Sequence, residues 1–100
     1  MMIPIKTEEL PVRYDLLRPA GRKRIREKYI EVQKGKCWYC DCDLNKEPPS
    51  WIMEKPIDIS LYPNGFFNSP IHLQHDHNTL MTEGAVHSIC NSILWEYHKR

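Results

Sequence analysis

The chain has 100 residues, 41% of them hydrophobic, with 14 lysines and arginines against 13 aspartates and glutamates. That length fits one small domain, residues 1–100, rather than several. No apolar run approaches the length of a membrane span, and a net charge of +1 leaves any strong charge to local patches.

The opening MMIPIKTEEL lacks the apolar core and small-residue cleavage site of a secretory signal. A cytoplasmic location is expected, where cysteines are more often metal ligands than disulfide partners. A chain this short buries only about two-thirds of its unfolded surface, so small domains often add a staple. Four cysteines and five histidines suggest that the staple is a metal.

Residues 1–19 carry Pro4, Pro11 and Pro19 and read as an N-terminal arm. Residues 19–33 take a helical pattern, with Ile25, Tyr29 and Val32 near one face. Gly35 supplies the stop. Arg13, Arg18, Arg22, Lys23, Arg24, Arg26 and Lys28 crowd this stretch. Such a cluster either neutralises phosphates or is a solvated helix face. GKCWYCDCDL follows as a tight turn around cysteines.

Residues 45–70 hold Pro48, Pro49, Pro56, Pro63 and Pro70, which forbid a long regular element. Trp51, Ile52, Ile57, Leu61, Phe66 and Phe67 make the segment too apolar for a disordered linker. It reads as a packed, irregular insertion with one short strand near 57–61. Residues 71–75 alternate as a strand, 78–83 turn, and 84–87 return as a second strand. Residues 91–98 form a helix, with Ile89, Ile93, Leu94 and Tyr97 sharing a face. The predicted class is α+β, ordered strand, turn, strand, helix behind a basic helix.

Cys37-x-x-Cys40 and His87-x-x-Cys90 are two ligand pairs of equal spacing. Brought together they give the four-coordinate tetrahedron of a structural zinc site. Such a site contributes folding energy rather than catalysis. Cys42 could replace His87 as a ligand. The free-thiol reading is preferred, because Cys40 and Cys42 would point apart in an extended segment. No βαβ pattern supports a thioredoxin-like redox pair.

In a strand, alternate residues share a face. His75 and His77 fall on one face, and His72, Gln74 and Asp76 on the other. A histidine near neutral pKa can take a proton from water. A hard divalent cation beside it wants oxygen ligands, which the amides of Asn91 and Gln74 can offer. Base, metal and positive surface together are the parts that phosphodiester hydrolysis needs.

QHDHNTLMTEGAVHSICN, residues 74–91, resembles the HNH, ββα-metal or His-Me finger, nuclease superfamily. Within it the likeness is to the phage recombination endonuclease VII group. That motif reads roughly Asp-His-Asp-His-x-Thr-Gly-x-Val-Arg-Gly-Leu-Leu-Cys-x-x-Cys-Asn. His75, Asp76, His77, Thr79, Gly84, Cys90 and Asn91 match without a gap. GKCWYC resembles the family's Gly-Lys-Cys-x-x-Cys, also led by a basic helix. The likeness covers about residues 22–44 and 71–98.

The resemblance implies a zinc-stapled ββα-metal domain that cleaves DNA. Cys37, Cys40 and Cys90 would be zinc ligands, with His87 in the family's remaining cysteine position. His75 would be the general base, and Asn91 would ligate a catalytic Mg²⁺ or Mn²⁺. His77, and also His72, would contact the scissile phosphate or orient the site. Arg22, Lys23, Arg24, Arg26 and Lys28 would grip backbone phosphates. A phage-encoded protein acting in a host cytoplasm is the origin that the likeness suggests. Junction resolution would require a homodimer, with the insertion as its available surface.

Gln74 stands where the family places a metal-binding aspartate. Gln74 ligates weakly while Asn91, phosphate and waters do most of the holding; or Asp76 supplies the carboxylate after a register change, with His77 as base; or catalysis is lost and a zinc-stapled nucleic-acid-binding module remains. Leu80 in place of the motif glycine implies a different turn, and Glu83 in place of arginine removes a positive charge. A protein-interaction module docking through 45–70 is the remaining alternative. Salt dependence separates it from nucleic-acid binding.

Overall fold

The computed structural model describes residues 10–99; residues 1–9 of the arm and Arg100 lie outside the described residues. Helix α1 spans Pro19–Val32. Proline at its first position lacks only an N–H that would have no helical partner. Lys34 and Gly35 end the run in left-handed conformation, at φ 58° and 77°, and Gly35 N donates to Ile30 O at 2.9 Å. Ile25 and Tyr29 are buried, but Val32 is 63% exposed. It is the last helical residue, and the chain turns away there instead of packing over it.

Strands β1, Ile71–His75, and β2, Thr82–His87, form an antiparallel hairpin. Pairing runs from Ile71 opposite His87 to Gln74 opposite Gly84, then slips so that His75 faces Thr82. Glu83 is the extra residue of this bulge. β2 begins two residues before the expected start at 84. The reason lies in the arm. Thr82 N donates to Val12 O at 2.8 Å. Thr82 Oγ1 accepts from Val12 N and bonds the Tyr29 hydroxyl, both at 2.9 Å. The described arm residues therefore pack against the hairpin: Leu10, Val12, Tyr14 and Leu17 lie partly buried on the core.

Gly84 sits at a close approach. A Cβ there would lie 2.7 Å from Trp38 Cγ and from Gln33 Oε1. Gln33 clamps the same edge, accepting from Ala85 N at 2.9 Å and donating to Ala85 O at 3.0 Å.

The insertion contains a short helix α2, Ser50–Met53, and 3-10 turns at Ile59–Leu61 and Phe66–Asn68. The strand expected near 57–61 is the first of these turns. Asp58 Oδ1 accepts from Ser60 N at 3.1 Å and from Ser60 Oγ at 2.6 Å, and this local bonding competes with an extended chain. Ile52, fully buried, ties the segment to the core. The Tyr62 ring lies 4.6 Å from Phe66, 5.4 Å from Phe67 and 6.1 Å from Trp95.

Helix α3 spans Ser88–His98, three residues longer at its start than expected. Ser88 N donates to Pro70 O at 2.9 Å, so its first donor is satisfied across the chain. Cys90 and Asn91 therefore lie in the first helical turn. Ile93 and Leu94 are buried, while Tyr97, near the helix end, is 44% exposed. Among the described residues the architecture is a small α+β fold of one two-stranded sheet and three α-helices. Among the described residues, no helix is long and apolar enough to cross a membrane.

Candidate metal centre and adjoining cleft

The Cys37–Cys40 turn and the β2–α3 junction meet as the spacing predicts. One ligand atom from each of Cys37, Cys40, His87 and Cys90 lies within 4.8 Å of the other three. His87 Nδ1 is 3.5 Å from Cys40 Sγ and 3.6 Å from Cys90 Sγ. Zn–S and Zn–N bonds of ordinary length at a tetrahedral angle place N and S about 3.6 Å apart. Two of the three nitrogen edges, to Cys40 and Cys90, thus already have the length of those in a zinc tetrahedron. The cluster can bind a structural metal such as zinc.

Second contacts orient the ligands. His87 Nε2 donates to the carbonyls of Asp43 and Lys46, each at 2.9 Å. That fixes the proton on Nε2 and leaves the Nδ1 lone pair for a metal. Tyr39 N and Cys40 N donate to Cys37 Sγ at 3.3 and 3.5 Å. Without an ion, a bond from the Cys90 thiol holds the Cys37 thiol well below its ordinary pKa. The same contact, then burial, pushes Cys90 up. Burial pushes Cys40 up to about 11. A metal would therefore displace protons from the Cys40 and Cys90 thiols, and the positive charge of a bound ion would favour all three as thiolates. Cys42 stays outside the four-ligand group, as the free-thiol reading expected; its carbonyl accepts from Cys37 N at 2.8 Å.

At Asn91, the residue after Cys90, opens a cleft of about 530 Å³. Its lining includes His72, Gln74, His75, His77 and Asn91, together with Arg22 and Arg26 of α1. Tyr62, Phe66 and Trp95 form an aromatic side.

The His75 ring stacks on Tyr14 at 3.9 Å, 8° from parallel, and meets His77 at 4.6 Å. Arg22 lies over the other ring in this stack, 4.6 Å from the Tyr14 centroid. Burial, then the His77 and Arg22 charges, hold the His75 imidazole below its ordinary pKa, with Asp76 and Asp15 opposing. Its neutral form, the form that accepts a proton, is favoured at pH 7. Arg22 Nε is buried and has no hydrogen-bond partner, a costly condition for a charged donor.

His72 and Asn91 meet on the cleft lining. His72 Nε2 donates to Phe66 O at 2.9 Å, and Asn91 Nδ2 donates to His72 Nδ1 at 3.0 Å. Gln74 is only 2% exposed. Its amide donates to His75 O at 2.8 Å and to Glu83 at 3.2 Å, spanning the bulge. Asp76 Oδ1 accepts from Asn78 N at 2.7 Å and Thr79 N at 3.2 Å, holding the hairpin turn. Among the described residues no aspartate or glutamate lines the cleft. Lys23 and Arg24 are exposed and Lys28 is half-buried, all away from that lining.

Tyr14, Gln33 and the Phe66 carbonyl were not singled out from the sequence as parts of the site. Only the aromatic character of Tyr14 within a proline-marked arm hinted at a docked segment. No family model, curated protein or solved structure matches this chain.

Proposed function

We propose that the chain is a metal-dependent endonuclease of the HNH class that hydrolyses DNA phosphodiester bonds. The observation that carries the reading is the cleft. It gathers three histidines and Asn91 beside two α1 guanidinium groups, and the buried Arg22 Nε lacks a partner. A phosphate is the ligand that such a donor fits.

His75 takes a proton from water, and the oxygen so exposed attacks phosphorus. The bond to the 3′ oxygen breaks, leaving a 5′ phosphate and a 3′ hydroxyl once the leaving oxygen is protonated. Tyr14 holds the His75 ring by stacking, and His77 lies at its edge. Arg22 and Arg26 bind phosphate oxygens, while Lys23, Arg24 and Lys28 extend the basic surface along α1. A bound Mg²⁺ or Mn²⁺, held from Asn91, supplies Lewis-acid stabilisation of the charge that develops on oxygen. The Cys37, Cys40, His87 and Cys90 site has four protein ligands, so an ion there is closed to substrate.

The test is nicking of supercoiled plasmid in Mg²⁺ or Mn²⁺ against EDTA, with wild type beside His75→Ala. Metal-dependent nicking that His75→Ala abolishes, with fold and zinc content intact, supports the reading. Nicking that survives His75→Ala removes His75 as the base. One observation favours a second reading: the cleft lining carries no carboxylate for a hard cation. Salt-sensitive DNA binding without cleavage in either metal, on plasmid and on branched DNA, would select a zinc-stapled nucleic-acid-binding module.

A further inference from the structure

The absent carboxylate raises the question of which side chains could hold a cation in the cleft. Gln74 is 2% exposed, and the bonds from its amide nitrogen to His75 O and Glu83 hold the side chain at the bulge. His72 and Asn91 are placed differently. A carbonyl oxygen only accepts, so the Phe66 contact at 2.9 Å puts the His72 proton on Nε2. Nδ1 then presents its lone pair to the cleft. His87 uses the same device toward the cysteine cluster, with its Nε2 on two carbonyls at 2.9 Å. In both histidines a backbone oxygen selects the tautomer that a metal needs. Phe66 also meets the His72 ring edge to face at 4.7 Å, which restrains its rotation.

Opposite Nδ1, the Asn91 amide stands 3.0 Å away. Half a turn about its last side-chain bond exchanges Nδ2 for Oδ1, giving two lone-pair donors at that separation. Adjacent ligands of an octahedral ion at about 2.1 Å lie about 3 Å apart. The pair therefore has the bite of two neighbouring octahedral positions. Both residues line the cleft, leaving the remaining positions to water or phosphate oxygens. Imidazole nitrogen suits first-row transition ions, whereas Mg²⁺ prefers an all-oxygen shell and dehydrates reluctantly.

We propose that His72 Nδ1 and Asn91 Oδ1 form a two-point cation site that takes Mn²⁺ ahead of Mg²⁺. The site deepens the nuclease reading and rests on it for the purpose of the ion, but binding is measured without cleavage. It also gives the insertion a task, because Phe66 supplies the carbonyl that sets the His72 tautomer.

The experiment uses the zinc-loaded full chain and Mn²⁺ as the probe. Mn²⁺ stands below Zn²⁺ in the affinity series and leaves the thiolate site to zinc. Loss of the free Mn²⁺ electron-spin signal counts bound ions, and Mg²⁺ is titrated as competitor. One Mn²⁺ per chain is expected, displaced only by a large excess of Mg²⁺. His72→Ala and Asn91→Ala should each weaken it by about tenfold or more, a loss at least as large as that of an outer-shell partner. In ¹⁵N-labelled wild type, substoichiometric Mn²⁺ should broaden the His72 ring and Asn91 amide signals first. That measurement decides the matter even if a variant fails to fold. Unaltered Mn²⁺ binding in folded His72→Ala, broadening centred on Asp76 or Glu83, or equal competition by Mg²⁺ would overturn the site. Mg²⁺-driven nicking with no Mn²⁺ at His72 would sink the site and keep the nuclease. Mn²⁺ held at His72 without nicking would do the reverse.

Discussion

Cys90→Ser is the most direct test of what holds this fold together. Cys90 is fully buried, and among the described residues Cys37, Cys40 and Cys90 are three of the twelve buried hydrophobic residues of the core. Those three positions join the loop after α1 to the first turn of α3. Structural zinc in small finger peptides is worth about 10–16 kcal/mol at neutral pH. A folded domain nets only about 5–15 kcal/mol in total. Removing one thiolate weakens the site and leaves the other ligands as buried polar groups, so the loss is of the order of the whole stability. Cys90→Ser is expected to lack a cooperative thermal transition at 25 °C and above, and to purify without zinc. The wild type should hold one zinc per chain, released to a chromogenic chelator only when its thiols are blocked. Circular dichroism and metal analysis on the same samples decide the point. A zinc-free wild type that unfolds cooperatively would refute the reasoning.

Gly84→Ala drives a methyl group to 2.7 Å from Trp38 and Gln33; overpacking should cost about 1–3 kcal/mol, read as a lower Tm with zinc still bound. Arg22→Ala removes the unpartnered donor at the cleft. DNA binding should weaken across sequences, with the slope of log affinity against log salt reduced by about 1; an unchanged slope would place the phosphate elsewhere. Because burial, His77 and Arg22 lower the His75 pKa, its proton-accepting form persists below pH 6.5. The acid limb of cleavage should therefore fall below that pH, and a limb above it would exclude neutral His75 as the base.

The two ligand pairs, Cys37 with Cys40 and His87 with Cys90, were legible because their geometry is local: a three-residue spacing fixes each pair, and the hairpin needs only to bring the two together. Strand β1 was legible for the same reason. Its alternation reached from Ile71 to His75 and stopped there in the structure. The bulge at Gln74 and His75 was not legible. It depends on Thr82 pairing with Val12, a contact across 70 residues that no periodicity records. The early start of α3 likewise depends on Pro70 O receiving Ser88 N. Val32 and Tyr97 satisfied helical angles, but angle says nothing about whether an opposing surface extends that far. The His72–Asn91 pairing combined both obstacles, since the bulge at Glu83 in β2 and the advanced helix start must each be known before the two side chains can be placed together.

Cys90 and Asn91 are consecutive residues in the first turn of α3, so their side chains leave the helix about 100° apart. One belongs to the cysteine cluster and the other to the cleft. The same pattern recurs in the histidines, since His87 and His72 each depend on a carbonyl from the 43–69 stretch to free Nδ1. The two sites therefore share a helix turn and a supporting loop, but their dependence runs in one direction. The cluster lies buried and Cys90 belongs to that helix turn, so removing a zinc bound there is expected to loosen Asn91 beside it. His72 lies half-buried at a cleft wall, and nothing in the cluster leans on its ring. Chelation of zinc should thus abolish Mn²⁺ binding, while His72→Ala should retain full zinc content and a near-wild-type Tm. Mn²⁺ binding that outlasted zinc removal would show that the turn is held by something other than the cysteines.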